Sequence, residues 1–146
     1  MRKLLMTSMA LVIFAISLTL FQLSSCTKTD AEAPINYPIE GLWIGTYTIA
    51  GLPALGEQYF SLIIKPDGTM INDTKYTNQQ NLSIGTWTLN GTTLSCTFTN
   101  IYGQAVHLGV QETTTSTWDK TGKLSGTWQN VGPQTGSGTI KLTRVN

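Results

Sequence analysis

His107 is the only histidine in a chain of 146 residues, so any imidazole chemistry would have to pass through it. A nucleophilic triad needs a base, an acid that orients it and a hydroxyl or thiol within reach. The residues around His107 supply no marked Ser or Asp partner, and strand alternation sets it opposite Val106 and Leu108, facing solvent. Cys96 stands between Leu94 and Phe98 at positions of one parity. This is the setting of a buried thiol acting as a small hydrophobe. A metal centre needs several His, Cys or carboxylate ligands converging on one point. One imidazole and one spare thiol do not supply them, so no metal and no cofactor are expected. Paired carboxylates could cleave a glycoside. Glu57, Asp67 and Asp119 fall in or beside turn signals, Glu40 borders the N-terminal segment, and Asp73 and Glu112 stand alone in expected strands. The reading is a protein without catalysis.

The elements that would position these residues begin after a leader. Arg2 and Lys3 precede the apolar run "LLMTSMALVIFAISLTLFQL", and small residues follow. A basic start, an apolar stretch and small residues before a cut are the parts of a secretory signal. The run is also long enough to span a bilayer as an uncleaved anchor. Both readings place the rest of the chain outside the cytoplasm. The segment that follows, "TKTDAEAPINYPIE", is polar, carries two prolines and has no period, as a tether would. Gly41–Asn146 then makes one domain of 106 residues, enough for a single core. Without Arg2 and Lys3, seven of the nine Lys and Arg remain against eight Asp and Glu. There is no basic stripe, which argues against nucleic acid as a partner.

The domain is rich in Thr, aromatics and alternation, with turn signals at short intervals, and no helical spacing persists. Eight strands are expected: Leu42–Ala50, Gln58–Lys65, Thr69–Tyr76, Leu82–Leu89, Thr92–Asn100, Ala105–Trp118, Lys123–Asn130 and Gly138–Val145. "PDG", "TNQQN", "NG" and "DKTG" separate successive runs, and Asn-Gly at positions 90 and 91 is the strongest hairpin signal. Short links make neighbours antiparallel. Eight such strands can close on themselves, which removes exposed edges. The expected fold class is all-β, an up-and-down antiparallel eight-stranded barrel.

Alternation assigns inward faces. They carry Trp43, Gly45 and Tyr47; Phe60, Leu62 and Ile64; Gly85, Trp87 and Leu89; Leu94, Cys96 and Phe98; Val106, Leu108 and Val110; Leu124, Gly126 and Trp128; and Ile140, Leu142 and Arg144. "IGTY", "IGTW" and "SGTW" recur at steps of 40 and 41 residues. A threefold repeat of that period fails, because only 20 residues follow Gly126. The triplets are read as one packing solution: Gly inward to make room for the ring, Thr outward, aromatic inward. Tyr47, Phe60, Trp87, Phe98 and Trp128 then become candidate pocket walls, since aromatic surfaces suit small apolar ligands. Leu52 and Leu55, in the long first loop, become a candidate lid.

Two resemblances add to this. Leu23-Ser24-Ser25-Cys26 resembles the lipobox of bacterial lipoproteins. It implies a signal peptide of residues 1–25, lipidation of Cys26, a tether over 26–40 and a barrel over 41–146. Thr27, where many inner-membrane lipoproteins carry Asp, points by the same resemblance to the outer membrane of the cell envelope. Gly41-Leu42-Trp43 at the head of the first strand resembles the Gly-X-Trp signature of lipocalins, and the chain resembles the lipocalin-like lipoproteins common in Bacteroidota. In that family the Trp closes one end of the barrel beneath an Arg of the last strand, which here implies Trp43 and Arg144 as a structural pair. The resemblance implies a small hydrophobic ligand. The other reading is an interaction or inhibitor module whose barrel is filled.

Overall fold

A computed structural model describes residues 37–145. Lipidation of Cys26, the signal and most of the tether lie outside the described residues. Eight strands follow one another: β1 (Gly41–Tyr47), β2 (Gln58–Ile64), β3 (Thr69–Tyr76), β4 (Gln79–Asn90), β5 (Thr93–Tyr102), β6 (Gln111–Trp118), β7 (Lys123–Val131) and β8 (Ser137–Arg144). Each pairs antiparallel with the next, and β1 pairs antiparallel with β8 to close the barrel. Closure leaves no strand with an unpaired row of backbone N–H and C=O groups. Because the strands alternate in direction, the links β1–β2, β3–β4, β5–β6 and β7–β8 gather at one end, the mouth. The other three links and the start of β1 form the base.

The turns explain where the strands differ from expectation. Thr77 (φ 46°) and Asn78 (φ 69°) both take left-handed conformations, the pair of angles that makes a two-residue hairpin. The residues Gln79, Gln80 and Asn81, expected in a loop, therefore pair with Tyr76, Lys75 and Thr74. The sixth strand is shorter than expected. Gly103 (φ 136°) and Gly109 (φ 77°) bracket a 3-10 turn at Ala105–His107, and β6 starts only at Gln111. Val106 and Leu108, expected inside, are 65% and 49% exposed. Their alternation imitates a strand while belonging to a loop. The inner face of β6 is instead Glu112, Thr114, Ser116 and Trp118, largely polar.

The lower barrel holds the hydrophobic core. Trp43, Leu62, Ile64, Met70, Leu94, Cys96, Phe98, Leu124, Ile140 and Leu142 are all buried within it. Burial pushes the Cys96 thiol up to about 11, against a smaller downward pull from Thr114, so the thiol stays protonated and inert. The base is capped from outside the barrel. The Trp43 indole Nε1–H donates to the carbonyl of Ile39 at 2.8 Å, and Tyr37 N–H donates to Lys120 O. Arg144 stands opposite Trp43 in register. Its guanidinium, however, lies over the ring of Tyr37, 5.3 Å from the centroid, and its Nη2 donates to Glu40 O at 3.1 Å. The residues read as the end of the tether are thus packed against the barrel, with Ile39 only 4% exposed.

The three triplet glycines have a sharper role than making room for a ring. A Cβ at Gly45 would stand 2.0 Å from Lys141 O, at Gly85 2.1 Å from Thr97 O, and at Gly126 2.1 Å from Thr115 O. In each case the obstacle is the backbone of the neighbouring strand. Gly marks places where two strands approach more closely than a side chain permits. Here those places let β1, β4 and β7 coil tightly enough to close a small barrel. The outer surface is mostly Thr, Ser and Lys. One cross-strand row breaks this pattern: Leu42, Ile63, Ile71 and Ile84 are successive register neighbours on β1 to β4. Apolar pairs of this kind stabilise adjacent strands.

Candidate functional site

The mouth holds a partly open cavity of about 200 Å³. Aromatic side chains form much of its wall. Tyr47 meets Phe60 edge-on at 5.9 Å and Trp128 edge-on at 5.7 Å between centroids, so the three rings brace one another. The Trp128 Nε1–H donates to Thr48 O at 2.8 Å, which fixes the indole plane against the beginning of the first loop. Tyr76 adds a fourth ring from β3, and Ile49 and Leu52 cover one side.

The rest of the lining is largely polar. Thr74, Asn81, Asn100, Glu112 and Asn130 project from the inner faces of β3 to β7 into the same space, with His107 from the β5–β6 link. Three strands cooperate to hold one carboxylate there. The Ser83 hydroxyl on β4 and Asn100 Oδ1 on β5 share a short hydrogen bond. That bond turns the Asn100 amide so that its Nδ2 donates to Glu112 Oε1 on β6 at 2.8 Å. Burial pushes the Glu112 carboxyl above the ordinary range, and the Asn100 bond opposes part of that rise. Tyr47 is pushed up to about 12, first by burial and then by the charge of Glu112 and by Tyr76. Its hydroxyl donates to Lys75 O at 3.4 Å and stays protonated.

Of the residues expected to wall a pocket, Tyr47, Phe60 and Trp128 meet at this cavity, with Leu52 of the expected lid. Leu55 does not line it; its carbonyl accepts from Gln58 Nε2 beside the loop. Trp87 and Phe98 also lie elsewhere. Trp87 is near the base, its Nε1–H donating to Lys65 O at 2.9 Å. Phe98 is 1% exposed in the core, although it stands opposite Glu112 in the ladder. His107, expected to face solvent, is half-buried at the cavity edge, its ring 6.2 Å from that of Tyr76. Sequence reasoning missed the polar wall entirely. The available signal was the run of polar residues at inward parity on β6, hidden by the preceding valines and leucine.

Among the described residues no group of three or more His, Cys, Asp or Glu converges in a way that could hold a metal ion. Among the described residues, Glu112 is the only Asp, Glu, Lys or Arg on the cavity wall. Comparison of the chain with protein-family models, with curated proteins and with solved structures returned no match.

Proposed function

We propose that this protein is a binding module of the bacterial cell envelope, lipid-anchored at Cys26, whose barrel holds a small, largely apolar molecule without transforming it. The observation that carries the reading is the cavity braced by Tyr47, Phe60 and Trp128 above a filled core. Clefts lined by aromatic walls with a few placed polar groups are the usual form of small-molecule sites. Native mass spectrometry of the protein released gently from its own membranes tests it. A non-covalent adduct lost on denaturation, and displaced when Trp128 is changed to Ala, is expected. An adduct unaffected by that change would place the molecule elsewhere and remove the cavity as its site.

The anchor is tested separately. Cys26→Ala is expected to move the protein from the membrane fraction to the soluble one. Retention in the membrane would favour the uncleaved apolar segment as the anchor.

A second reading is favoured by a different observation. Ile101, Tyr102, Val106, Leu108 and Val131 are exposed large apolar residues around the mouth. Exposed apolar groups gathered in one region mark contact surfaces. In this reading the mouth loops dock a protein partner and the cavity is incidental. Charged substitutions at Val106 and Leu108 would then abolish partner capture.

A further inference from the structure

Glu112 is the least expected residue in the cavity. Carboxylates taken out of water are ordinarily paired, because desolvation of the charge costs several kcal/mol. Here the partner is missing. Asn100 satisfies one oxygen; the other makes no hydrogen bond among the described residues and is not sealed from the cavity. No Lys, Arg or His lies within ion-pair distance of it among the described residues. The Ser83–Asn100 relay holds the carboxylate in place from two further strands, which a stray buried acid would not require. The rings of Tyr47, Phe60, Tyr76 and Trp128 line the same cavity. The negative faces of aromatic rings attract cations, most strongly where water is excluded.

A fixed carboxylate without a counterion and a set of aromatic faces share one complement. We infer that the cavity takes a small organic cation, a protonated amine or a quaternary ammonium on a compact apolar body. The ammonium sits at the free oxygen of Glu112, and the apolar body lies against Tyr47, Phe60 and Trp128. An apolar cavity of about 150 Å³ accepts benzene. One of about 200 Å³ therefore suits a single ring with a short amine arm. The raised pKa of the carboxyl agrees with this arrangement, since a bound cation would restore the ionised form that burial disfavours. An anionic headgroup would meet Glu112 with like charge.

This inference rests on the binding reading above and names its ligand class. The test is calorimetric titration of the full-length protein in detergent with three probes of nearly equal shape: 2-phenylethylamine, 2-phenylethanol and 3-phenylpropionate. Each is titrated against wild type and Glu112→Gln. The amine is expected to bind wild type roughly ten- to a hundredfold more tightly than the alcohol, the range of a hydrogen bond to a charged group. Glu112→Gln should erase that preference, bringing the amine's affinity down to that of the alcohol. If the alcohol or the acid binds wild type as tightly as the amine, the cation inference fails and the binding reading stands. If none of the three binds up to millimolar concentration while the native adduct of the preceding section is present, the inference again fails alone. If there is neither binding nor adduct, both fail. Should Glu112→Gln not fold, the order of the three probes on wild type decides the matter.

Discussion

Gly85→Ala is the sharpest test of how the barrel closes. The new Cβ would stand 2.1 Å from Thr97 O and 2.6 Å from Phe98 Cα. Ordinary C···O approach is about 3.3 Å or more, so the strands must part by roughly 1 Å. The obstructing atoms belong to the backbone of β5, and no rotamer change can remove them. Overpacking of this kind costs about 1–3 kcal/mol, and stretching one or two ladder hydrogen bonds adds about 1 kcal/mol each. Loss of chain entropy in the unfolded state returns about 0.4–1 kcal/mol to Ala. The net expectation is about 3 kcal/mol of destabilisation, a large share of the 5–15 kcal/mol that ordinary domains possess. For a domain of this size each kcal/mol lowers Tm by roughly 4–8 °C, so a fall of about 12–24 °C should follow. Urea denaturation followed by tryptophan fluorescence measures the first quantity, and a thermal melt by circular dichroism the second. Thr86→Ala, one residue on and facing outward, is the control and should change stability by under about 0.5 kcal/mol. A Gly85→Ala protein within that same margin of wild type would refute the close-approach account of all three triplets.

Two further outcomes follow from the interior. The folded state raises the Glu112 pKa above the ordinary 4.5, so the native protein holds this proton more tightly than the unfolded chain. The stability it contributes is full below 4.5 and is lost as pH rises through the raised value. Glu112→Gln should therefore gain Tm relative to wild type as pH goes from 4 to 7. Asp67 and Asp119, whose pKa values are lowered chiefly by hydrogen bonds from Thr69 and Thr121, act in the opposite direction but are common to both proteins and cancel. A difference that is flat or shrinks with pH would contradict the burial of Glu112. Trp43→Phe removes the indole bond to Ile39 O and part of a fully buried ring. It should cost about 2–4 kcal/mol by urea denaturation, and an effect below about 1 kcal/mol would count against the base cap.

Much of the barrel could be read from residues whose local chemistry is decisive. Asn90-Gly91 and "PDG" announce hairpins because Gly91 and Gly68 take left-handed angles that other residues resist. Alternation then fixes which face of each strand is inward, and Tyr47, Phe60 and Trp128 follow. Depth along the barrel axis is another matter. Trp87 and Trp128 occupy equivalent places in their triplets, yet one closes the base and the other walls the mouth. Strand direction decides this: β4 runs from mouth to base and β7 from base to mouth, so the same late place in a strand falls at opposite ends. Glu112 was illegible for a different reason. Its position matters only once register sets it opposite Asn130 and brings Asn100 to its other side. The sixth strand misled because Val106-His107-Leu108-Gly109-Val110 has the period of a strand, while Gly103 and Gly109 bend the chain out of one.

The pairing of the first strand with the last has a mechanical consequence. β1 and β8 run antiparallel, so the start of one and the end of the other leave the barrel side by side at the base. A force drawing these two ends apart would load the β1–β8 ladder one hydrogen bond at a time and peel it like a zip. A force between the N-terminal side and an object gripped at the mouth would run along the strand axes. It would then load the bonds of β1 to both neighbours together, in shear, and meet far greater resistance. The ladder arrangement makes the barrel weak against tension between its own ends and strong against a pull directed from residue 37 along the strands to the mouth.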